Sequence, residues 1–333
     1  SKAGAKIKED ISNSDIIFGV KEVEISTLIE NKTYLFFSHT SKVRKDTNQT
    51  TQDKAIIYKK ELLREVIKKK ITLIDYENIR DKLKRRYLGF GRFAGIVGCY
   101  NSLNLYLKVT NQKTMPRAYE LSSYEELKHN IKKKNFQKAK IIITGDGRVA
   151  KGVLEFLKVA NIDEIKPNKF KKSNNLQAIF CNLPTSIYVR HKEGISFNLQ
   201  NFIKFPEKYS STLENFLPYT SMLISSHYWD PKSPKLFNKK NIINYNQLKV
   251  IGDITCDVNG SIPTTIRSST IKEPYYFLNR KTNKEVKNDI NALAIMAVDN
   301  LPSELPKDSS KEFGDGIVSE VLPFFLESDD GRI

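Results

Sequence analysis

Three cysteines in 333 residues, at positions 99, 181 and 256, are too few and too scattered for a disulfide framework or a zinc cluster. The four histidines, at positions 39, 129, 191 and 227, include no pair at metal-ligand spacing, so no metal is expected. Apolar runs fall short of the roughly 20 residues that a membrane-spanning helix needs. No charged and then apolar leader opens the chain, and a reducing cytoplasm with no membrane partner is the expected setting. Acidic residues are outnumbered, 38 against 55 Lys and Arg, which leaves a net charge of +17. A basic surface attracts phosphate backbones whatever its fold. Here the lysines are spread among Asn and Ile, as in KNIINYNQLK and KHNIKKKNFQKAK, with no nucleic-acid motif beside them, so no nucleic-acid partner is expected. Runs such as Lys68 to Lys70 and Lys132 to Lys134 read as solvated helix faces.

What is present is a chain long enough for two cores, since single cores stop growing at roughly 250 to 300 residues. Strand-length apolar runs near residues 15–20, 34–38, 72–75, 140–144, 178–181, 222–225, 250–254 and 294–298 alternate with helical patterns at 59–70 and 147–160. That alternation predicts an α/β protein of two Rossmann-like lobes, with parallel sheets and an interlobe cleft. The glycine-rich apolar segment 89–109 reads as a buried helix connecting the lobes. Residues 302–327 read as the return to the first lobe, in a helix capped by Asp308 or Ser309 ahead of Glu312. The expected division is residues 1–88 with 310–333 as the substrate lobe and 89–309 as the dinucleotide-binding domain.

Polar residues gather where the apolar strands end, and in open α/β sheets ligands sit outside the carboxyl ends of strands. After KVIGDIT come Asp253, Thr255, Asp257, Asn259, Ser261 and Thr264; other strands deliver Lys21 and Glu22, Ser38 and His39, and Asp299 and Asn300. Lys21 and His39 end adjacent predicted strands. A partly desolvated lysine and an imidazole together can move protons near neutral pH. Read singly, each is structural: a surface lysine and a hydrogen-bonded core histidine. His227 shares that ambiguity, and His129 and His191 read as solvated.

The segment AKIIITGDGRVAKGVLEFL is a strand, a Gly145-Asp146-Gly147 turn and a helix, the context in which a glycine motif carries weight. Backbone at such a turn approaches a pyrophosphate at the positive helix N-terminus, which selects Gly145, Gly147, Arg148 and Val149 for cofactor binding. Ala150 stands at the third motif position and Gly152 follows. The next strand end offers Pro167, Asn168, Lys169, Lys171 and Lys172 in place of a ribose-binding acid, which favours NADP over NAD.

With these motifs the chain resembles the lysine-2-oxoglutarate reductase and saccharopine dehydrogenase family, more distantly related to alanine dehydrogenase and the transhydrogenase nucleotide domain. The carriers are GVKEV at 19–23, FFSHT at 36–40, LIDYE at 73–77, FGRFAGIVG at 90–98, TGDGRVAKGV at 144–153, GDITCDVNGSIPTTIRSSTI at 252–271 and VDNLPSELPKDSSKEFG at 298–314. The resemblance implies an oxidoreductase that joins the ε-amine of lysine to the keto carbon of 2-oxoglutarate and reduces the imine with NAD(P)H, or runs the reverse. It implies Lys21 and His39 as the acid/base pair, and Asp253, Asp257, Asp299 and Asn300 lining the nicotinamide side. Arg92 and Arg267 are the candidates for holding substrate carboxylates, each equally readable as a structural arginine.

Family members open with a strand and helix bearing an R-x-T-L-T-P type segment, whereas this chain opens at SKAGAKIKEDIS. The expectation is a first lobe without that unit. Small amino-acid and keto-acid substrates are the expected partners, with a homo-oligomer left open. The rivals are an alanine dehydrogenase-like enzyme and a catalytically inactive relative serving as a binding module.

Overall fold

The computed structural model describes residues 4–40, 43, 54–81, 86–174, 176–287, 289 and 291–326. Cα proximity divides the chain into two units, Ser1–Gly89 with Glu312–Ile333, and Phe90–Lys311.

The first unit is built on a parallel sheet of β1 (Ile16–Lys21), β2 (Thr33–Phe37) and β3 (Thr72–Asp75), in that spatial order. Alternation along β2 sorts its side chains: Tyr34 and Phe36 join Leu62 and Val66 of helix α1 (Lys54–Lys68) in one buried cluster. Phe37 points the other way and packs with Tyr76 and Phe313, at centroid distances of 5.2 and 5.9 Å.

The second unit contains an eight-stranded sheet. Its strands are β4 (Lys140–Thr144), β5 (Asp163–Glu164), β6 (Ile179–Leu183), β9 (Met222–Ser225), β10 (Val250–Asp253), β11 (Tyr275–Leu278), β12 (Glu285–Val286) and β13 (Leu293–Met296). A separate antiparallel ribbon joins β7 (Val189–His191) to β8 (Tyr209–Ser211). The main sheet runs β12-β11-β13-β10-β9-β4-β6-β5, parallel except for the antiparallel pairings of β11. The β11–β12 hairpin was not foreseen, because YYFL gives too short an apolar run to stand out.

Helix α2 (Gly91–Val109) was expected to connect two lobes; it lies wholly within the second unit and is that unit's central helix. Apolar residues surround it on all sides, and it is buried from Phe93 through Leu107 save Ala94. Glycines set how closely it packs. A Cβ on Gly252 of β10 would meet Ser102 Oγ at 2.0 Å, and one on Gly95 would meet the Val149 carbonyl oxygen at 2.1 Å. Helix α4 (Arg148–Val159) therefore lies against α2 backbone to backbone, with α3 (Tyr124–Lys132) beside it.

Two local expectations are corrected. The helix expected to be capped by Asp308 or Ser309 spans Pro306–Glu320, starting earlier because proline suits a first helical position. Asp308 instead accepts from Tyr124 N at 3.0 Å, at the start of α3, and Ser309 Oγ donates to Leu305 O at 2.8 Å. His191, read as solvated, is 8% exposed, its ring edge-on to Tyr209 at 4.9 Å.

Candidate active site

In the first unit, polar residues meet at the carboxyl edge of the three-stranded sheet. Lys21 is the last residue of β1, its Cα opposite Phe37, and its side chain is exposed. His39 follows β2 by two residues, in the left-handed region at φ 53°, a conformation a non-glycine residue holds only when its surroundings impose it. Its Nδ1 lies 3.4 Å from Glu77 Oε1, the same oxygen that Arg86 Nη2 approaches at 3.1 Å. Beneath them Asp75 ties the strand ends together: Oδ2 accepts from the buried Ser38 hydroxyl and Oδ1 from Glu77 N at 2.8 Å. Ser38 Oγ is also 2.8 Å from Thr40 Oγ1.

The Lys21 and His39 positions therefore share one sheet edge, but the immediate partner of the imidazole is Glu77. Sequence reading quoted LIDYE and gave Glu77 no role. The available signal was its offset: His39 stands two residues past β2 and Glu77 two residues past β3, in strands that pair Phe36 with Asp75.

In the second unit, β4 empties into the glycine turn. Gly145 has φ +100°, and a Cβ there would lie 2.9 Å from His227 Cα, so this position requires glycine. Gly147 caps α4 and its Cβ direction faces open space for at least 4 Å. A helix N-terminus with room above it and no capping side chain is suited to an anion. Behind the turn, His227 Nδ1 is 2.8 Å from Thr144 Oγ1 and 3.5 Å from Ser225 Oγ, while Nε2 is buried without a hydrogen-bond partner. Burial pushes this imidazole down to about 4, so it is neutral at physiological pH.

Asp253 was expected to line the nicotinamide side, but it is completely buried, with Oδ1 accepting from Thr255 Oγ1 at 2.5 Å and Oδ2 from Thr265 Oγ1 at 2.6 Å. Burial raises its carboxyl to about 6 against the opposing pull of those hydroxyls. Its place is to fold the segment after β10 back onto the sheet. Asp257, Asp299 and Asn300 are exposed. The half-buried Cys256, with φ 51°, feels the charges of Asp253, Asp257 and Asp299; burial first and those carboxylates second push its thiol up to about 12. The three carboxylates thus converge around one residue.

The two arginines proposed for substrate are engaged within the chain. Arg92 makes a bidentate pair with Glu155, at 2.7 and 2.6 Å, and Tyr124 OH donates to the same carboxylate at 2.8 Å. Arg267 pairs with Glu285 at 2.9 and 2.8 Å and stacks 4.7 Å over Tyr276. Of the basic residues expected beyond β5, Lys169 lies in the short helix Pro167–Phe170 that follows the strand, and Lys171 and Lys172 come after it. From Pro167–Phe170 the chain descends to the opposite edge: Lys140, the first residue of β4, donates to Ser173 O at 3.0 Å, Lys138 N donates to Leu176 O at 3.1 Å, and Lys171 lies 5.0 Å over Phe216.

Among the described residues no cluster of His, Cys, Asp and Glu is placed to hold a metal, and no helix is long and apolar enough to cross a membrane.

Residues 1–97 match the family model described as alanine dehydrogenase/PNT, N-terminal domain. The chain is 28% identical over 352 residues to the α-aminoadipic semialdehyde synthase of Arabidopsis thaliana, covering 94% of this chain and 32% of that protein. It is 27% identical over 370 residues to the mitochondrial α-aminoadipic semialdehyde synthase of Mus musculus, covering 98% and 38%. The chain thus spans about a third of the length of these relatives. The motif resemblance to the lysine-2-oxoglutarate reductase and saccharopine dehydrogenase family is met by this similarity. Among solved structures, an L-alanine dehydrogenase aligns with a TM-score of 0.55 at 12% identity, covering 98% of this chain and 76% of that one. The transhydrogenase from Sinorhizobium meliloti aligns with a TM-score of 0.51 at 13% identity, covering 100% and 83%. These two likenesses establish the α/β fold.

Proposed function

We propose that the chain is an NAD(P)-dependent oxidoreductase that interconverts saccharopine with lysine and 2-oxoglutarate. The observation that carries this reading is the similarity to the α-aminoadipic semialdehyde synthases over 94% to 98% of the chain. The glycine turn of the second unit fits the dinucleotide this requires: it pairs an obligatory glycine at Gly145 with open space above Gly147 at the start of α4. Gly145, Gly147, Arg148 and Val149 would hold the pyrophosphate, with Asp257, Asp299 and Asn300 exposed beside the neighbouring strand ends. The nicotinamide, when bound, supplies or receives the hydride.

The chain's own residues do the proton work. Condensation needs a base for the lysine ε-ammonium, and an acid for the hydroxide that leaves the carbinolamine as the imine forms. Lys21 and His39 are assigned these tasks. Glu77, fixed through its backbone by Asp75, faces the imidazole at 3.4 Å. The condensed product carries three carboxylates, and charge-assisted bonds are the strong means of holding them. Arg92 and Arg267 serve that purpose only by exchanging Glu155 and Glu285 for substrate.

Cys99 and Cys181 are buried free thiols, which suits a reducing compartment. The test is a substrate panel with NADH and NADPH. Turnover with lysine plus 2-oxoglutarate, or with saccharopine in reverse, should exceed turnover with pyruvate and ammonia. The opposite ranking assigns an alanine dehydrogenase-like enzyme, and silence with every pair assigns a binding module.

A further inference from the structure

The second unit has a concavity well away from its glycine turn. It is a cavity of about 510 Å³ between the C-terminal half of α2 and the β11–β12 hairpin, within the size range of small-molecule sites. The strands run β11-β13-β10-β9-β4, so at a spacing of about 4.8 Å per strand the hairpin stands roughly 19 Å from the strand that carries the turn.

The walls of the cavity are fixed by bonds within the chain. Asn104 of α2 uses both ends of its amide on one residue: Oδ1 accepts from Met115 N at 2.8 Å and Nδ2 donates to Met115 O at 3.1 Å. Tyr100 OH donates to Pro116 O at 2.7 Å. Arg117 Nη2 then donates to Ile271 O at 2.6 Å, tying residues 114–117 to the segment that enters β11. A pocket held open in this way asks little reorganisation of itself when a ligand enters.

Tyr275 and Phe277 alternate onto one face of β11 and give the cavity an aromatic wall, their rings edge to face at 5.8 Å. Lys108 Nζ stands 5.9 Å over the Tyr275 ring. The charges around the cavity do not cancel. Arg267 is met by Glu285, and Arg117 acts on the buried Glu304, which accepts from Asn101 Nδ2 at 2.7 Å. Lys108 and Lys272 remain, both exposed and without an ion pair among the described residues, against the single exposed acid Glu273.

We propose that this cavity binds a small organic anion with a flat apolar body, the body lying on Tyr275 and Phe277 and the acid group meeting Lys108 and Lys272. Charge-assisted bonds to an ammonium exceed neutral ones in strength, and Lys108 already stands beside the ring that the apolar body covers. The site is independent of the oxidoreductase reading.

The experiment is a fluorine NMR titration of the full chain with para-fluorophenylacetate, para-fluorophenyl phosphate and the neutral para-fluorobenzyl alcohol, with and without saturating NADH. At least one acid should bind tenfold or more tightly than the alcohol, and the tighter of the two names the acid group as carboxylate or phosphate. Lys108→Glu with Lys272→Glu should weaken that acid tenfold or more at an unchanged melting temperature. Lys108→Arg with Lys272→Arg should keep it within threefold of the parent. NADH should displace none of it. Binding of neither acid, equal binding of the alcohol, indifference to the charge reversal, or displacement by NADH overturns the proposal.

Discussion

A Cβ on Gly152 would stand 2.1 Å from the carbonyl oxygen of Arg92, so α4 and α2 meet backbone to backbone at that crossing. The contact is with a carbonyl that cannot rotate away, and relief requires moving a helix. Gly152→Ala should destabilise the chain by about 1–3 kcal/mol, the usual cost of overpacking a well-filled contact. Because α4 carries the glycine turn at its N-terminus, nucleotide affinity should fall as well. Urea melts and NADH titration of the same variant check both effects; unchanged stability would show that the helices separate freely.

Gly147→Asp changes the turn without crowding the protein, since no atom lies within 4 Å of the new Cβ. The introduced carboxylate occupies the place assigned to pyrophosphate, so nucleotide binding should be lost while the melting temperature stays near that of the parent. Retained affinity would move the nucleotide elsewhere.

Lys21→Met and His39→Ala should each lower turnover by roughly 10²-fold or more with nucleotide affinity preserved. Glu77→Gln keeps the shape of the side chain and removes the charge 3.4 Å from the imidazole, and turnover should fall by about tenfold. Near-normal rates in Lys21→Met and His39→Ala would return those two residues to a surface lysine and a structural histidine.

His227 and Asp253 give the stability profile two opposing limbs. The histidine is held down at about 4, so between about pH 6.5 and 4 the unfolded chain gains a proton that the folded chain does not. Its contribution is present above pH 6.5 and is lost as pH falls, by up to about 3.5 kcal/mol at about 1.4 kcal/mol per unit. Asp253 is raised to about 6, so the stability gained from its protonated form is present below about pH 4 and is lost as pH rises through 6. On going from pH 7.5 to 4.5, His227→Gln should lose less stability than the parent and Asp253→Asn should lose more. Denaturant melts at the two pH values decide it, and parallel profiles for all three proteins would contradict both assignments.

Arg92→Met and Arg267→Met should lower the melting temperature while leaving KM for the amino-acid substrate unchanged, because each guanidinium is already paired with a glutamate of its own unit. A tenfold rise in KM at unchanged stability would assign that arginine to the substrate.

Much of this fold was legible in the sequence because buried parallel strands are continuous apolar runs. YLFF, IIIT and MLIS stand out without any knowledge of their neighbours. The glycine turn was legible for the same local reason. Strand order was not, since adjacency depends on where a chain returns, and nothing within DEIKPNKFKK states that it descends along the sheet instead of closing beside β4. The position of His39 just past a strand end was legible from the apolar run before it. Its neighbour Glu77 was obscure because it comes from another strand. Arg92 and Arg267 show the converse limit: an arginine in a motif announces a charge but not the carboxylate that meets it.

The placement of β6 between β4 and β5 also orders assembly. After β4 is made, the next strand in the chain has no edge to join until residues 179–183 arrive, so the β4–α4 segment must wait for a more distant partner before β5 can dock. Two residues long and held on one side only, β5 is the last strand in and the first out. Hydrogen exchange should find the amides of β4 and β6 among the slowest of the second unit and that of Ile165, bonded to Phe180 O, among the fastest of its strands. A partly opened state that has shed β5 keeps β6 paired with β4, so fraying at this border would leave the glycine turn in place.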